Sequence, residues 1–251
     1  MDPFAHLWAN EATNVHAERY SRAVSSYESL AHCLRNRYFF DTLNTLVEEN
    51  KIDILLNFGC GFSMYPFTLP PSVLYVEIDT TDVISFKKDK TRLWQAEGLL
   101  PKRNIEFVSA DFNAVSLEYL YNKLLPLSKG KKIFILIEGV LFFLGKEDTT
   151  RLFNLFNRLQ KKEDFIGSVS FEPSLEKQVV FKKLIDFVEV NLEKNQQFNY
   201  QTVPEEFYSS VEGYNLIDHQ DTMSLGSIYK PDITISEDEI LNEHMYLMQK
   251  S

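Results

Sequence analysis

The stretch IDILLNFGCGFS, residues 52–63, is an apolar run that ends in a Gly-x-Gly loop, and it decides the predicted fold. Because glycine has no Cβ, a buried strand that ends in Gly59 and Gly61 lets the backbone approach a ligand closely. A second apolar run ends in Glu77 and Asp79, the latter eighteen residues after Gly61. Acids at this point of an α/β fold accept hydrogen bonds from ribose hydroxyls. Together the two runs predict a site for a nucleoside cofactor.

Length and charge limit the classes of protein to consider. The chain has 251 residues, of which 44% are hydrophobic, enough for one sizeable core. We predict a single domain over residues 1–251, with a helical N-terminal extension at 1–50 and a core with substrate-side loops at 51–251. The formal net charge of -10 argues against a nucleic-acid partner, because binding to phosphates needs accumulated Lys and Arg.

Cysteine usage and the N-terminus favour a reducing compartment. The chain contains only Cys33 and Cys60, too few for a disulfide framework, and no Cys/His cluster has the spacing of zinc ligands, so we predict no metal site. Residues 1–6 lack the basic start of a signal peptide, and no segment approaches the roughly 18 apolar residues of a membrane span. We therefore expect a soluble, cytoplasmic protein without a membrane partner.

Strand-like and helical patterns alternate along the chain. Residues 12–49 contain no proline or glycine and repeat apolar residues at helical spacing, which predicts a helical extension. Five strand-like runs follow, separated by helical patterns: 52–58, 73–78, 105–109, 132–137 and 165–171. Two more strands are predicted at 214–219 and 245–249, and loops that could cover a substrate at 196–201 and 226–235. The pattern predicts an α/β fold with a mostly parallel sheet and an antiparallel last strand.

Polar residues also end the third and fourth strand-like runs. Asp111 could accept a hydrogen bond from an exocyclic amine while the ring of Phe112 packs on a purine base. Glu138 follows the apolar run 133–137, and a carboxylate there could hold the cationic part of a cofactor. Ligands of open parallel sheets bind outside the carboxyl ends of the strands, so four polar strand ends indicate one binding site more strongly than any of them alone.

The chemistry of the loop distinguishes two cofactor classes. A dinucleotide-binding fingerprint needs a third glycine where helix packs on strand, and this chain has Met64 there. S-adenosylmethionine fits better, because it has no pyrophosphate to seat on a helix N-terminus. Its amino-acid carboxylate needs a cation, for which the helical extension offers Arg37, Arg22 or Arg19.

A series of motifs along the chain resembles, in content and order, the motifs of the leucine carboxyl methyltransferase family. This family belongs to the class I S-adenosylmethionine-dependent methyltransferases and includes bacterial polyketide O-methyltransferases. The resemblance runs from about residue 21 to residue 251 and implies a Rossmann-like fold. The motifs are NRYF at 36–39, LNFGCG at 56–61, VEID at 76–79 with Lys87 and Lys88, ADF at 110–112, IEGVLFFL at 137–144 and HMYL at 244–247. The resemblance implies that Arg37 corresponds to the family's arginine that binds the cofactor carboxylate. Ser63 stands where the family usually has an acid, and Phe143 where it often has a tyrosine.

The resemblance implies transfer of a methyl group to oxygen. A carboxylate, with a pKa near ~4, is already ionised at neutral pH, whereas an alcohol needs a base, and the sequence shows no convincing base dyad. This favours a carboxylate of a small molecule or a peptide C-terminus. Tyr27, Phe143, Glu172 and His219 are candidates for the acceptor site, and no catalytic residue or oligomeric state is assigned. A hydroxyl acceptor, a catalytically silent S-adenosylmethionine-binding regulator and a nicotinamide oxidoreductase stay open.

Overall fold

The computed structural model describes residues 2–114, 116–192 and 198–251, and within them seven strands form one sheet. The spatial order is β3-β2-β1-β4-β5-β7-β6, in which β7 runs antiparallel to β5 and β6 and the other pairs are parallel. The strands are β1 Ile54–Phe58, β2 Leu74–Asp79, β3 Ile105–Ser109, β4 Ile133–Ile137, β5 Phe165–Phe171, β6 Tyr214–Asp221 and β7 Glu243–Lys250. This arrangement confirms the predicted α/β fold with an antiparallel last strand.

The register of the central strands aligns their carboxyl ends. Phe58, the last residue of β1, lies opposite Ile78 of β2 and Ile137 of β4. Every side chain of β1 and β4 is buried, as their uninterrupted apolar runs predict for strands covered on both faces. The residues that follow Phe58, Ile78 and Ile137 therefore emerge at one edge of the sheet.

Helices cover both faces of the sheet. They are α1 Glu11–Ala23, α2 Glu28–Glu48, α3 Tyr65–Thr68, α4 Thr81–Ala96, α5 Leu117–Ser128, α6 Lys146–Leu159, α7 Val179–Asn191, α8 Glu205–Ser210 and α9 Thr222–Tyr229. One face of the sheet packs against α5 and α6, through residues such as Leu120 and Leu152. The other packs against α2, where Leu34, Phe39 and Leu43 lie at helical spacing and are buried. These two apolar layers hold the site in place from both sides.

The structure corrects the predicted extension and one predicted loop. The helical extension is two helices, because the chain leaves helical geometry between Ala23 and Glu28. The predicted loop 226–235 begins inside α9, whose N-terminus Asp221 caps by accepting from the backbone N–H of Ser224. Only residues 198–201 of the predicted loop 196–201 lie among the described residues.

Among the described residues, no helix is both long and apolar enough to cross a membrane. The division into a single domain with an extension at 1–50 stays a prediction.

Candidate active site

The glycine loop lies between the carboxyl ends of β2 and β4. Gly59 and Gly61 have φ of +71° and +43°, in the left-handed region that favours glycine. A Cβ on Gly59 would lie 2.0 Å from Val140 Cγ2, whereas a Cβ on Gly61 would meet nothing within 4 Å. Gly59 therefore allows close packing on the loop after β4. The Cα of Gly61 faces open space, which leaves room for a ligand.

Asp79 fixes this loop. Its Oδ2 accepts from the backbone N–H of Gly61 at 2.8 Å, and its Oδ1 accepts from the N–H of Thr80 at 2.7 Å. The carboxylate is half-buried at the end of β2, so it holds the loop and keeps a solvent-facing side. Such a group can hold the loop and accept from ribose hydroxyls at the same time, as predicted.

Glu77 has a different role from the predicted one. Its side chain is fully buried and forms an ion pair with the equally buried Lys87, and its Oε1 accepts from Asn57 Nδ2 at 3.2 Å. Lys87 Nζ also donates to the carbonyl of Cys60 at 3.3 Å. Burial lowers the pKa of Lys87, but Glu77 outweighs it and raises that pKa overall. We call Glu77 and Lys87 the sealed pair. The sealed pair supports the glycine loop through the hydrogen bond from Lys87 to Cys60. The Glu77 carboxylate is fully buried and is not accessible to a ligand.

The two residues predicted to contact adenine follow β3. Asp111 is exposed, and its Oδ1 accepts from the backbone N–H of Asn113 at 3.0 Å. Phe112 is buried, with its ring 5.7 Å from that of Phe58 and its Cε2 3.9 Å from the position of a Cβ on Gly59. The ring thus borders the glycine loop, and the carboxylate stands at the surface next to it.

Glu138 belongs to a cluster that the sequence did not predict. Arg35 of α2 forms an ion pair with Glu243 at the start of β7, and its Nε lies 3.3 Å from Glu138 Oε1. We call these three residues the carboxylate cluster. Burial raises the pKa of Glu138, against the opposing effects of Arg35 and Tyr65. Burial also lowers the pKa of Arg35, but Glu243 and Glu138 outweigh it and raise that pKa overall, so the guanidinium stays charged.

The three residues of the carboxylate cluster line a cavity of about 570 Å³. Helices α1, α2 and α7 and the strand ends of β4 and β5 enclose it. Its lining residues are His16, Tyr20, Glu28, His32, Arg35, Glu138, Gly139, Phe142, Phe143, Phe171, Leu184, Phe187, Val188, Asn191, Leu192 and Glu243. Phe143 is the one residue of the four predicted for the acceptor site that lines this cavity, among the residues described.

The other three predicted acceptor residues lie elsewhere. Tyr27 is half-buried at the N-cap of α2. The Glu172 carboxylate accepts from the hydroxyl of Tyr246 at 2.7 Å, and His219 contacts His244 at 2.9 Å. Glu172 and His219 thus belong to a polar group along β7, outside the cavity lining. A position near the end of a strand did not reveal whether a side chain lines the cavity or belongs to the polar group along β7.

The three arginines proposed for the cofactor carboxylate are separated. Arg37 is exposed, pairs with Asp41 at 2.6 Å and lines a second cavity, of about 330 Å³, together with Ser63 and Tyr65. Arg22 is exposed and pairs with Glu18 on its own helix. Arg19 lies over the ring of Phe187, at the rim of the larger cavity. Of the three, Arg37 lies nearest to the residues that follow the glycine loop.

Arg35, Glu28, His32 and Glu243 are functional candidates that the sequence analysis missed. Glu28, His32 and Arg35 occupy positions i, i+4 and i+7 on one face of α2, a polar stripe that helical periodicity could have revealed. Glu243 carries no comparable signal, because it reaches Arg35 from 208 residues away.

The residues present fit the predicted cofactor. Asp79, Asp111 and Phe112 could partner ribose and adenine, and the Cα of Gly61 faces open space. Glu138 Oε1 is buried and has no aligned hydrogen-bond donor among the described residues, although Arg35 Nε is near. A cationic ligand group at this oxygen would satisfy it.

The strand order and this site define a class I S-adenosylmethionine-dependent methyltransferase. Residues 3–157 match the family model described as leucine carboxyl methyltransferase, and the chain belongs to this family. The comparison with curated proteins found no match.

Solved structures share the fold at low identity. A Thermobifida fusca protein described as a candidate methyltransferase has a TM-score of 0.67 at 15% identity, over 96% of this chain and 89% of its own. A DUF574 family protein from Streptomyces avermitilis has a TM-score of 0.66 at 13% identity, over 99% and 95%. The N-methyltransferase NodS from Bradyrhizobium japonicum, in complex with S-adenosyl-L-homocysteine, has a TM-score of 0.53 at 11% identity, over 86% and 87%. At these identities the likeness shows the fold.

Proposed function

We propose that this protein transfers the methyl group of S-adenosylmethionine to a small molecule bound in the 570 Å³ cavity. The observation that carries the proposal is the position of Glu138. It follows β4 at the same sheet edge as the glycine loop and Asp79, and it also lines the cavity. A group at Glu138 is therefore shared between the proposed cofactor site and the proposed acceptor site.

Each site residue has a proposed role in holding the cofactor. Asp79 accepts from the ribose hydroxyls, Asp111 and Phe112 hold the adenine, and Glu138 faces the cationic amino-acid part. Arg37 is the proposed partner of the cofactor carboxylate, as the family resemblance implies. Bound there, S-adenosylmethionine supplies an electrophilic methyl group on a sulfonium, and the protein's task is to align an acceptor with it and to exclude water.

The carboxylate acceptor predicted from the sequence requires a cation that faces it. Among the described residues that line the cavity, the permanent cation is Arg35, and both Glu138 and Glu243 already engage it. O-methylation of a carboxylate thus requires Arg35 to exchange one of these partners for the substrate. A hydroxyl acceptor requires a base instead.

A cytoplasmic location also stays a proposal.

Calorimetry with S-adenosylhomocysteine tests the cofactor site. Asp79→Asn should weaken binding about tenfold or more, because a charge-assisted hydrogen bond to ribose is lost. Asp89→Asn, on the exposed face of α4, removes the same charge and should leave the affinity unchanged. Equal affinity of the wild type and Asp79→Asn, with intact folding, would remove Asp79 from the site.

Transfer is then followed with S-adenosyl-[methyl-³H]methionine and a panel of small carboxylates, alcohols and amines. Labelled product from at least one acceptor supports the proposed function. Cofactor binding without label in any acceptor would favour a silent S-adenosylmethionine-binding regulator instead.

A further inference from the structure

The interior of the 570 Å³ cavity is acidic. Among the described residues that line it, Glu28, Glu138 and Glu243 contribute three carboxylates, against the single guanidinium of Arg35. His32 pairs with Glu28 through Nε2 and Oε1 at 3.1 Å, and about half of the His32 side chain is exposed. The inner wall therefore carries more negative than positive charge when the histidines are neutral.

Each of these carboxylates keeps one unused oxygen. Glu28 Oε2, Glu138 Oε1 and Glu243 Oε2 are buried and accept no aligned hydrogen bond among the described residues, although Arg35 Nε lies 3.3 Å from Glu138 Oε1. Their side chains are 17%, 10% and 9% exposed. A buried carboxylate oxygen without a donor is costly, and it favours a ligand that brings donors with it.

The protein donors nearby satisfy these oxygens only in part. Arg35 donates to Glu243 Oε1, the other oxygen of that carboxylate, and its Nε lies 3.3 Å from Glu138 Oε1. Burial, then the charges of Glu28 and Glu243 and a hydrogen bond to Glu28, raise the pKa of Tyr20, so its hydroxyl stays protonated at neutral pH. Arg19 lies over the ring of Phe187 at the cavity rim and is not one of its lining residues.

The cofactor accounts for only one of the unused oxygens. In the proposed function Glu138 faces the cationic part of S-adenosylmethionine. Arg35 neutralises one more carboxylate, and Glu28 remains, with half-exposed His32 and the uncharged hydroxyl of Tyr20 as its neighbours. The described residues contain no group of three or more His, Cys, Asp or Glu that could hold a metal ion, so an organic cation is the occupant that fits.

The same cavity also has an aromatic lining. Phe142, Phe143, Phe171 and Phe187 line it, and the ring centroid of Phe142 lies 5.2 Å from that of Phe143 and 5.4 Å from that of Phe171. Such a surface buries an apolar or aromatic body and attracts a cation held near the ring faces. The cavity thus combines buried carboxylates with an apolar, aromatic surface.

We propose that the acceptor molecule of this methyltransferase carries a protonated amine on an aromatic or apolar body, with the amine between Glu28 and Glu243. An ammonium group has three N–H donors, which suits carboxylate oxygens that lack donors. This inference deepens the proposed function and rests on it. The ammonium is the group by which the cavity recognises the acceptor and not the atom that receives the methyl group, because its nitrogen has no free lone pair. The sequence predicted a carboxylate for this cavity instead.

The experiment compares matched ligands on the protein saturated with S-adenosylhomocysteine. Calorimetry measures the affinities of phenylalkylamines with one to four methylene groups, of phenylalkanoates of the same lengths, and of the matching alcohols. We expect the best amine to bind at least about tenfold more tightly than the matching carboxylate, since buried charges select strongly by sign.

Three variants locate the selectivity. Glu28→Gln should weaken amine binding about three- to tenfold and leave alcohol binding unchanged, because it removes a charge without releasing Arg35. Glu243→Gln should also strengthen carboxylate binding, since it frees Arg35. Glu118→Gln, an exposed acid that pairs with Arg158, is the control and should change nothing.

The outcomes separate this inference from the proposed function. If carboxylates bind as tightly as amines, if no amine binds, or if Glu28→Gln leaves amine affinity unchanged, the amine inference is overturned while cofactor binding stands. If the wild type does not bind S-adenosylhomocysteine, the proposed function fails and the inference fails with it.

Discussion

The sealed pair and the carboxylate cluster both place buried charge near the carboxyl edge of one sheet, yet they are built differently. In the sealed pair, Glu77 faces one Lys87, and Asn57 satisfies its second oxygen. In the carboxylate cluster, one Arg35 faces two carboxylates, and Glu138 and Glu243 each keep a buried oxygen that accepts no aligned hydrogen bond from the described part of the chain. The first lies inside the protein core and the second opens into a cavity.

This difference separates a structural role from a functional one. A buried ion pair that is balanced and hydrogen-bonded can hold a loop, but it offers nothing to a ligand. An unbalanced cluster costs stability in the free protein, and a ligand of the opposite charge recovers that cost on binding. The comparison predicts opposite responses to mutation in the two places.

Breaking the sealed pair should have the largest effect. Lys87→Met leaves Glu77 buried without its counter-charge, so the free energy of unfolding should fall by about 3–5 kcal/mol in urea titrations. The double variant Glu77→Gln/Lys87→Met carries no buried charge and should recover most of this loss. A loss below about 1 kcal/mol in Lys87→Met would show that the pair does not stabilise the fold.

Neutralising the carboxylate cluster should instead reduce binding more than stability. Glu138→Gln should weaken S-adenosylmethionine binding about tenfold, because a charge-assisted contact is lost, while the free energy of unfolding changes by less than about 1 kcal/mol. Thermal unfolding and calorimetry on the same samples measure both. A large loss of stability with unchanged affinity would make Glu138 a structural residue like Glu77.

The Glu138 carboxylate makes both the stability of the protein and its binding of a cation depend on pH. Burial raises the pKa of Glu138 above its ordinary value, with Arg35 and Tyr65 opposing, so the ionised form costs stability and this cost appears as pH rises through the raised pKa. Binding of a cation runs the other way and weakens as pH falls through that pKa. Glu243 and the exposed His32 also face the Glu138 carboxylate. The part of the pH dependence of stability and of binding that comes from Glu138 should disappear in Glu138→Gln, measured by unfolding and calorimetry over a range of pH.

Trimming the aromatic lining should have the smallest effect. Phe143 is 57% exposed, so Phe143→Ala removes only part of an apolar contact and should raise the KM of the acceptor about three- to tenfold. Cofactor affinity should stay the same, since Phe143 touches only the acceptor side in our proposal. Val179→Ala, an exposed apolar residue outside the cavity lining, is the matched control. Equal KM values for all three proteins would exclude Phe143 from the acceptor site.

Local patterns predicted much of the site. Asp79, Asp111 and Glu138 each follow an apolar run, and parallel strands bring such ends to one edge, so their approach was predictable. Glu77 misled the prediction because it lies two residues before Asp79 and looks equivalent to it. Only the packing of α4 places Lys87 against one carboxylate and leaves the other half-exposed.

The two arginines of α2 show where the sequence stops being informative. Arg35 and Arg37 lie two residues apart, which is about 200° around a helix, so only one of them can face the cavity. Nothing local decides which. The structure places Arg35 in the carboxylate cluster, whereas Arg37 pairs with Asp41, and its role toward the cofactor carboxylate stays a prediction.

By itself, the sequence determined the order of helices and strands, the parallel sheet and the acids at its edge, because periodicity and strand ends are properties of neighbouring residues. Tertiary structure alone decided which carboxylates are neutralised by a protein cation and which keep an unbalanced charge that a ligand can neutralise. The reason is that charge pairing depends on groups far apart in the chain, such as Arg35 and Glu243, whose distance only the packed fold sets.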